Sequence, residues 1–201
     1  MLTWEMENSF RTPETQVICG CDEAGRGPLA GPVYAAAVIL PVGVEIAGLD
    51  DSKKLSAKKR DALFEEIKAK AVCYAIARAE VEEIETLNIL ECALLAMRRA
   101  VEQLSTRPEL ALIDGNIAHG FDLPAVPVIG GDAKCPSIAA ASVLAKVARD
   151  RDCLELDKLY PQYGFAVHKG YGTKAHRQAI LEHGPCPAHR MSFLKKLLGN
   201  P

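Results

Sequence analysis

Apolar and polar positions alternate along this chain in two rhythms, and the switches between them mark out its elements. Residues 17–22 form a short apolar run that predicts a buried strand, and 32–40, rich in Ala and Val, predicts a second. The short connection between them favours a hairpin. Ser56 is a good N-cap for a helix over 57–70, where Leu63, Phe64 and Ile67 keep helical spacing. A strand follows over 72–79. Ile84, Leu87, Leu90, Leu94, Met97 and Val101 then form one stripe, which predicts a single long helix over 81–104. Pro108 ends that pattern. Strands are predicted over 110–113 and 124–129, each running into a glycine-flanked acid, Asp114 and Asp132. Pro136 and Ser137 open a long helix to about 159, with a small-residued first half that suits close packing on a sheet. A Gly- and aromatic-rich loop over 162–172 and helices over 173–183 and 192–198 complete the chain. The order, β-β-α-β-α-β-β-α with a helical tail, predicts an α/β fold: a mixed five-stranded sheet flanked by helices.

Composition narrows the class. The 201 residues are 49% hydrophobic and 25% charged, which fits one ordinary globular domain with a small appendage. A net charge of −2 supplies no bulk attraction to nucleic acid, so any such site must be a local basic face. The seven cysteines lack CxxC spacing and sit mostly in apolar patterns. They are expected to be reduced core residues of a cytoplasmic protein rather than zinc ligands or disulfides. The longest apolar run, 33–40, is too short to span a membrane, and residues 1–16 lack the pattern of a secretory signal. Residues 1–15 are expected to be a flexible tail.

The candidate chemistry lies at strand ends. Asp22 and Glu23 close the first strand and lead into Gly25-Arg-Gly27, where the glycines allow a sharp turn or close approach to a ligand. An isolated acid after a strand is commonly a turn residue. Three strand ends with the same pattern in one chain, Asp22, Asp114 and Asp132, are harder to assign to chance. Ends of neighbouring strands are where open α/β sheets build sites. Carboxylates converging there cannot all ionise without a compensating cation, and oxygen donors favour magnesium or manganese. Such a centre suits phosphodiester hydrolysis, with one metal activating water and another stabilising the leaving oxygen. Asp50 and Asp51 lie in a charged connection away from any strand end and read as solvated. Lys53 and Lys54 are candidates for phosphate contact. Lys146 and Arg149, three apart on one helix, are also candidates, against pairing with Asp150 or Asp152. His176, His183 and His189 are too scattered for a zinc set.

The stretch Asp22-Glu-Ala-Gly-Arg-Gly-Pro-Leu-Ala-Gly-Pro-Val33 resembles the signature of the ribonuclease HII family. Further matching blocks follow in family order: Asp51-Ser-Lys-Lys-Leu55, Leu87-Asn-Ile-Leu90, Leu112-Ile-Asp-Gly-Asn116, Gly131-Asp-Ala-Lys134, Ser137-Ile-Ala-Ala-Ala-Ser142, Lys146-Val-Ala-Arg-Asp150, Tyr163 to Tyr171 and His189-Arg-Met-Ser-Phe193. The resemblance covers nearly the whole chain except the N-terminal segment. It departs at Gly130, where many relatives are expected to carry lysine. It implies a ribonuclease H-like domain over 16–160, a helical substrate-binding segment over 161–201, and a metal site of Asp22, Glu23, Asp114 and Asp132. It also implies that Gly25, Arg26, Gly27 and Tyr171 read the junction between a ribonucleotide and DNA. The activity implied is cleavage of RNA in RNA–DNA hybrids and 5′ of single ribonucleotides in duplex DNA, by a monomer. A non-catalytic hybrid binder would be marked by loss of an acid, and all four are present. A phosphate-loop nucleotide binder lacks the Gly-Lys-Ser/Thr that the loop needs.

Overall fold

The computed structural model describes residues 2–50, 52 and 55–199. Five strands form one sheet in the order β3-β2-β1-β4-β5. These are β1 (Ile18–Ala24), β2 (Val33–Ile39), β3 (Cys73–Ala79), β4 (Leu110–Asp114) and β5 (Ala125–Val128). β1 pairs antiparallel with β2 and β2 with β3, whereas β1–β4 and β4–β5 are parallel. The short loop after β1 makes the hairpin, the helical stretch over 81–102 returns the chain to β4 parallel to β1, and a helix-free connection over 115–124 leads on to β5. The α/β mixed sheet expected from the pattern is therefore the one found.

Helices cover both faces. α3 (Val81–Leu87) and α4 (Ile89–Glu102) precede β4, and α4 packs with the Cys19, Cys21 and Ile113 side of the sheet. α2 (Ala57–Lys70) and α5 (Pro136–Leu159) cover the opposite side, around Ala36, Val38, Ala140 and Leu144. The close approach of α5 depends on Gly20: a Cβ there would lie 2.3 Å from the backbone at Ser137 and Ile138. α6 (Phe165–His168), α7 (Lys174–His183) and α8 (Met191–Leu198) follow α5. They share a smaller cluster with Ala30, built on Tyr163, Phe165, Ile180 and Leu194. An isolated bridge between Ala30 and His189 ties this segment to the loop after β1.

Four expectations change, the first being the loop over 162–172, which carries the short helix α6. The single helix over 81–104 is broken at Asn88, whose φ of 77° interrupts the helix while its side chain accepts the Leu90 and Glu91 amides and caps α4. β1 runs two residues further than the pattern indicates, so Asp22 and Glu23 lie inside the strand and point to opposite faces. The N-terminal segment is packed rather than loose. It forms a short helix, α1 (Glu5–Asn8), and the fully buried Glu7 accepts hydrogen bonds from Ser137 N (3.1 Å) and Ser137 Oγ (2.8 Å). Glu7 thereby caps α5, whose own N-cap residue, Cys135, supplies no side-chain bond. All seven cysteines are free and buried. Among the described residues, no helix is long and apolar enough to cross a membrane.

Candidate active site

The parallel pairing of β1, β4 and β5 brings the C-terminal ends of three neighbouring strands to one edge of the sheet. Asp22 comes from β1, Asp114 from the end of β4, and Asp132 from a 3-10 turn (Gly131–Ala133) between β5 and α5. One carboxylate oxygen from each lies within 4.8 Å of the others. Asp114 Oδ1 accepts the Gly131 amide at 2.7 Å and the Asp132 amide at 3.4 Å, so one acid fixes the turn that carries the next. That turn is tight at Gly131, where a Cβ would lie 2.5 Å from Ile138 Cδ1 and 3.3 Å from Asp114 Oδ1, so a larger residue would require the Ile138 side chain to shift.

Asp22 is almost fully buried, and its Oδ1 accepts the Glu23 amide at 2.7 Å. Burial, and then the charges of Glu23 and Asp114, push its pKa well up; a hydrogen bond from Ser142 works the other way. Ser142 Oγ lies 2.8 Å from Ser52 Oγ, so Ser142 donating to Asp22 leaves Ser52 donating to Ser142. Neither serine stood out in the sequence. Their signal was only that a hydroxyl sat among alanines on α5 and in a charged connection. Glu23 faces the α4 side and lines a shallow cleft with Asp114, Asn116 and Arg26. Its carboxylate lies 3.4 Å from Arg26 Nη1; burial raises its pKa, the Arg26 charge opposes this, and Asp114 raises it further. The acids thus form a close group of three, with Glu23 alongside and partly neutralised by Arg26.

The donor set fits a divalent cation. Hard oxygen donors from three chain segments come within 4.8 Å of one another, which suits a small, hard ion. Asp22, Asp114 and Asp132 would hold such an ion, with Glu23 adjacent.

Beside the acids, the Gly25–Gly31 loop meets Tyr171. A Cβ on Gly27 would lie 3.6 Å from Tyr171 Cε1, so the ring rests against the glycine. Gly25 has a φ of 104° and would place a Cβ 2.1 Å from Arg149 Nε. The two segments are tied directly, since Leu29 N donates to Gly170 O at 2.8 Å. Arg190 takes four carbonyls of the loop: Nη2 donates to Gly25 O, Nη1 to Arg26 O and Pro28 O, and Nε to Gly31 O, at 2.7–3.0 Å. It is fully buried, and burial together with the Arg149 charge lowers its pKa to about 9, leaving it cationic at neutral pH. Arg190 was not singled out in the sequence, because a cation that serves backbone carbonyls has no spacing signature.

The basic candidates fare differently. Arg149 is not available to phosphate: it is 1% exposed, and its Nη2 donates to Lys169 O (3.0 Å) and Ala30 O (3.4 Å). Its helix position turns it under the glycine loop rather than outward. Lys146 lies one turn beyond Ser142 on α5 and pairs with Asp150 at 2.6 Å. Lys53 and Lys54, like Asp51, lie outside the described residues.

A mixed sheet with carboxylates gathered at the ends of its parallel strands defines the chain as a nuclease of ribonuclease H-like architecture. A family model described as Ribonuclease HII matches residues 19–196. Ribonuclease HII of Burkholderia thailandensis is 59% identical over 178 residues, covering 89% of this chain and 83% of that protein. The Burkholderia lata protein of the same name is 59% identical over 184 residues, covering 92% and 86%. The chain belongs to the ribonuclease HII family and is a ribonuclease H enzyme. Solved structures agree in fold. Ribonuclease H2 from Pyrococcus horikoshii superposes with a TM-score of 0.74 at 24% identity, over 90% of this chain and 97% of that one. The RNase HII of Archaeoglobus fulgidus, solved in complex with PCNA, gives 0.73 at 26% identity, over 90% and 96%.

Proposed function

We propose that this enzyme hydrolyses the RNA strand of RNA–DNA hybrids and incises duplex DNA on the 5′ side of a single embedded ribonucleotide, leaving 3′-hydroxyl and 5′-phosphate ends. The observation that carries this reading is the meeting of two groups at one sheet edge. Three acids lie within 4.8 Å of one another, and the Gly25–Gly27 loop rests against Tyr171 beside them.

Each side chain has a definable task. Asp22, Asp114 and Asp132, with Glu23, are the catalytic and metal-holding carboxylates. Ser142 orients Asp22, and Asp114 orients the Asp132 turn. A divalent ion, magnesium or manganese, supplies water activation and charge neutralisation when bound. The glycine loop lets backbone groups approach the 2′-hydroxyl, the group that separates RNA from DNA. The half-exposed Tyr171 offers a ring for stacking on a sugar or base and a hydroxyl for a directed hydrogen bond. Arg26 sits between the acids and the loop, where it can exchange Glu23 for a phosphate. Lys53, Lys54 and Lys146 are candidates for outer phosphate contacts in this reading, the last only by sharing its Asp150 partner. Acids and reading loop come from one chain, so a monomer suffices.

The test is a duplex DNA carrying one ribonucleotide, with its product ends sequenced. Cutting 5′ of the ribonucleotide, with none in all-DNA duplex, is expected. Cutting on the 3′ side, cyclic phosphate ends or equal cutting of all-DNA duplex would overturn the reading. Tyr171→Phe should lower turnover mildly, and Tyr171→Ala by about ten-fold or more, since alanine also removes the ring.

A further inference from the structure

The C-terminal segment holds three histidines outside the group of acids, two of them buried, and their hydrogen bonds fix the ring protons. Tyr171 O is a carbonyl and only accepts, so His176 Nδ1, 2.9 Å away, carries a proton. Cys186 N only donates, so His189 Nδ1, at 2.9 Å, carries none. The two Nε2 atoms face each other at 3.1 Å, and the proton there belongs to His189. One line of bonds therefore runs from the Cys186 amide through His189 and His176 to the Tyr171 carbonyl. His168 stacks on His176 with ring centroids 4.2 Å apart. It accepts the Gly170 amide at Nδ1 (3.2 Å) and holds Tyr163 O at Nε2 (2.7 Å). His176 and His189 are 0% and 2% exposed. The line ends on the backbone of the residue whose ring lies against Gly27.

We propose that His176 is a positioning residue for ribonucleotide recognition: its Nδ1–H holds the Tyr171 carbonyl, and His189 sets the tautomer that makes this possible. The proposal rests on the reading of Tyr171 given above. A rotation at Tyr171 would lift the ring from Gly27, and the carbonyl bond resists it. The other partner of that carbonyl, Thr173 N at 2.8 Å, lies within the same turn and cannot anchor it to the body of the segment.

Amide side chains separate positioning from filling. Asparagine places an N–H near the position of Nδ1, whereas glutamine places its amide near Nε2. The full chain, saturated with magnesium, is assayed on a duplex with one embedded ribonucleotide and on a long RNA–DNA hybrid. His176→Gln is expected to lose about ten-fold in kcat/KM on the embedded substrate, mainly through KM, and less on the hybrid. His176→Asn is expected to recover most of that loss. In a Tyr171→Ala background, changing His176→Gln should cost no more than about two-fold, since there is no longer a ring to hold. Equal losses in both backgrounds, or glutamine performing as well as asparagine, would overturn the proposal. So would a loss in His176→Gln that raised the magnesium concentration needed for half activity, because that would place the damage at the acids. If Tyr171→Ala alone leaves the embedded substrate unaffected, the reading of Tyr171 fails first and is recognised as the failure. Should His176→Gln not fold, the comparison of His176→Asn with wild type across both Tyr171 backgrounds decides: a near-wild-type ratio supports the proposal, and a background-independent loss sinks it.

Discussion

A carboxylate in this site does two kinds of work, and substitution separates them. Asp114 contributes charge to the group of three acids and, through Oδ1, accepts the Gly131 amide at 2.7 Å. Asparagine keeps an oxygen acceptor but removes the charge. Asp114→Asn is therefore expected to fold and yet lose at least about a hundred-fold in turnover, as are Asp22→Asn and Asp132→Asn. In metal-free protein the Asp22→Asn variant should be more stable than wild type, because Asp22 is buried and repelled by Glu23 and Asp114. Thermal melts with a chelator and steady-state rates in magnesium check both points; near wild-type turnover by Asp114→Asn would remove it from the site. Gly25 poses a different constraint. Its φ of 104° and the Arg149 guanidinium beneath it make Gly25→Ala strained as well as crowded, with an expected cost of about 1–3 kcal/mol in a denaturant melt.

At the scale of elements, α5 links the N-terminal segment to the acids. It presents Ser142 to Asp22, follows directly on the Asp132 turn, and begins at a Pro136 whose N-cap contributes no side-chain bond. Glu7 completes that end from α1, outside the residues matched by the family model. Removing the side chain leaves a buried Ser137 amide without its acceptor. Glu7→Ala should lower stability by about 1–2 kcal/mol, read as a fall in Tm. An unchanged Tm would mean that the contact contributes nothing net. The burial that raises the pKa of Glu7 is opposed by the two Ser137 bonds and by Arg11, so the carboxylate is held by its partners rather than by solvent.

For the whole molecule, the buried histidines set a pH limit. Burial, and then the neighbouring His176, lower the pKa of His189 from 6.5 to about 4; burial also lowers His176. The unfolded chain therefore binds more protons than the folded one between these values. Stability is complete above about pH 6.5 and is lost progressively as pH falls towards about 4. From pH 7 to pH 5 the loss assigned to His189 is about 2 kcal/mol. Asp22 and Glu23, whose pKa values are raised, act in the opposite sense in metal-free protein, so the comparison should be made against His189→Gln. The wild type is expected to lose more stability over that range than the variant; parallel curves would show that His189 is not buried neutral.

What the chain determined by itself is what local rules govern. Apolar periodicity placed the five strands and the flanking helices, and the acids at strand ends pointed to a cation. These depend on patterns of a few neighbouring residues and on the chemistry of like charges. Local rules failed where a distant group outweighed them. Asn88 is a good N-cap residue, but the apolar stripe that continues on both sides of it masks that local signal. Arg149 and Lys146 share a helix face, yet one guanidinium is drawn beneath the glycine loop by the carbonyls of Ala30 and Lys169 while the other cation stays with Asp150. Glu7 reads as one more charge in a polar tail until Ser137 reaches it across 130 residues. The tertiary structure alone decided which polar groups were buried together. A buried donor must find an acceptor wherever the fold has put one, and sequence distance does not enter that requirement.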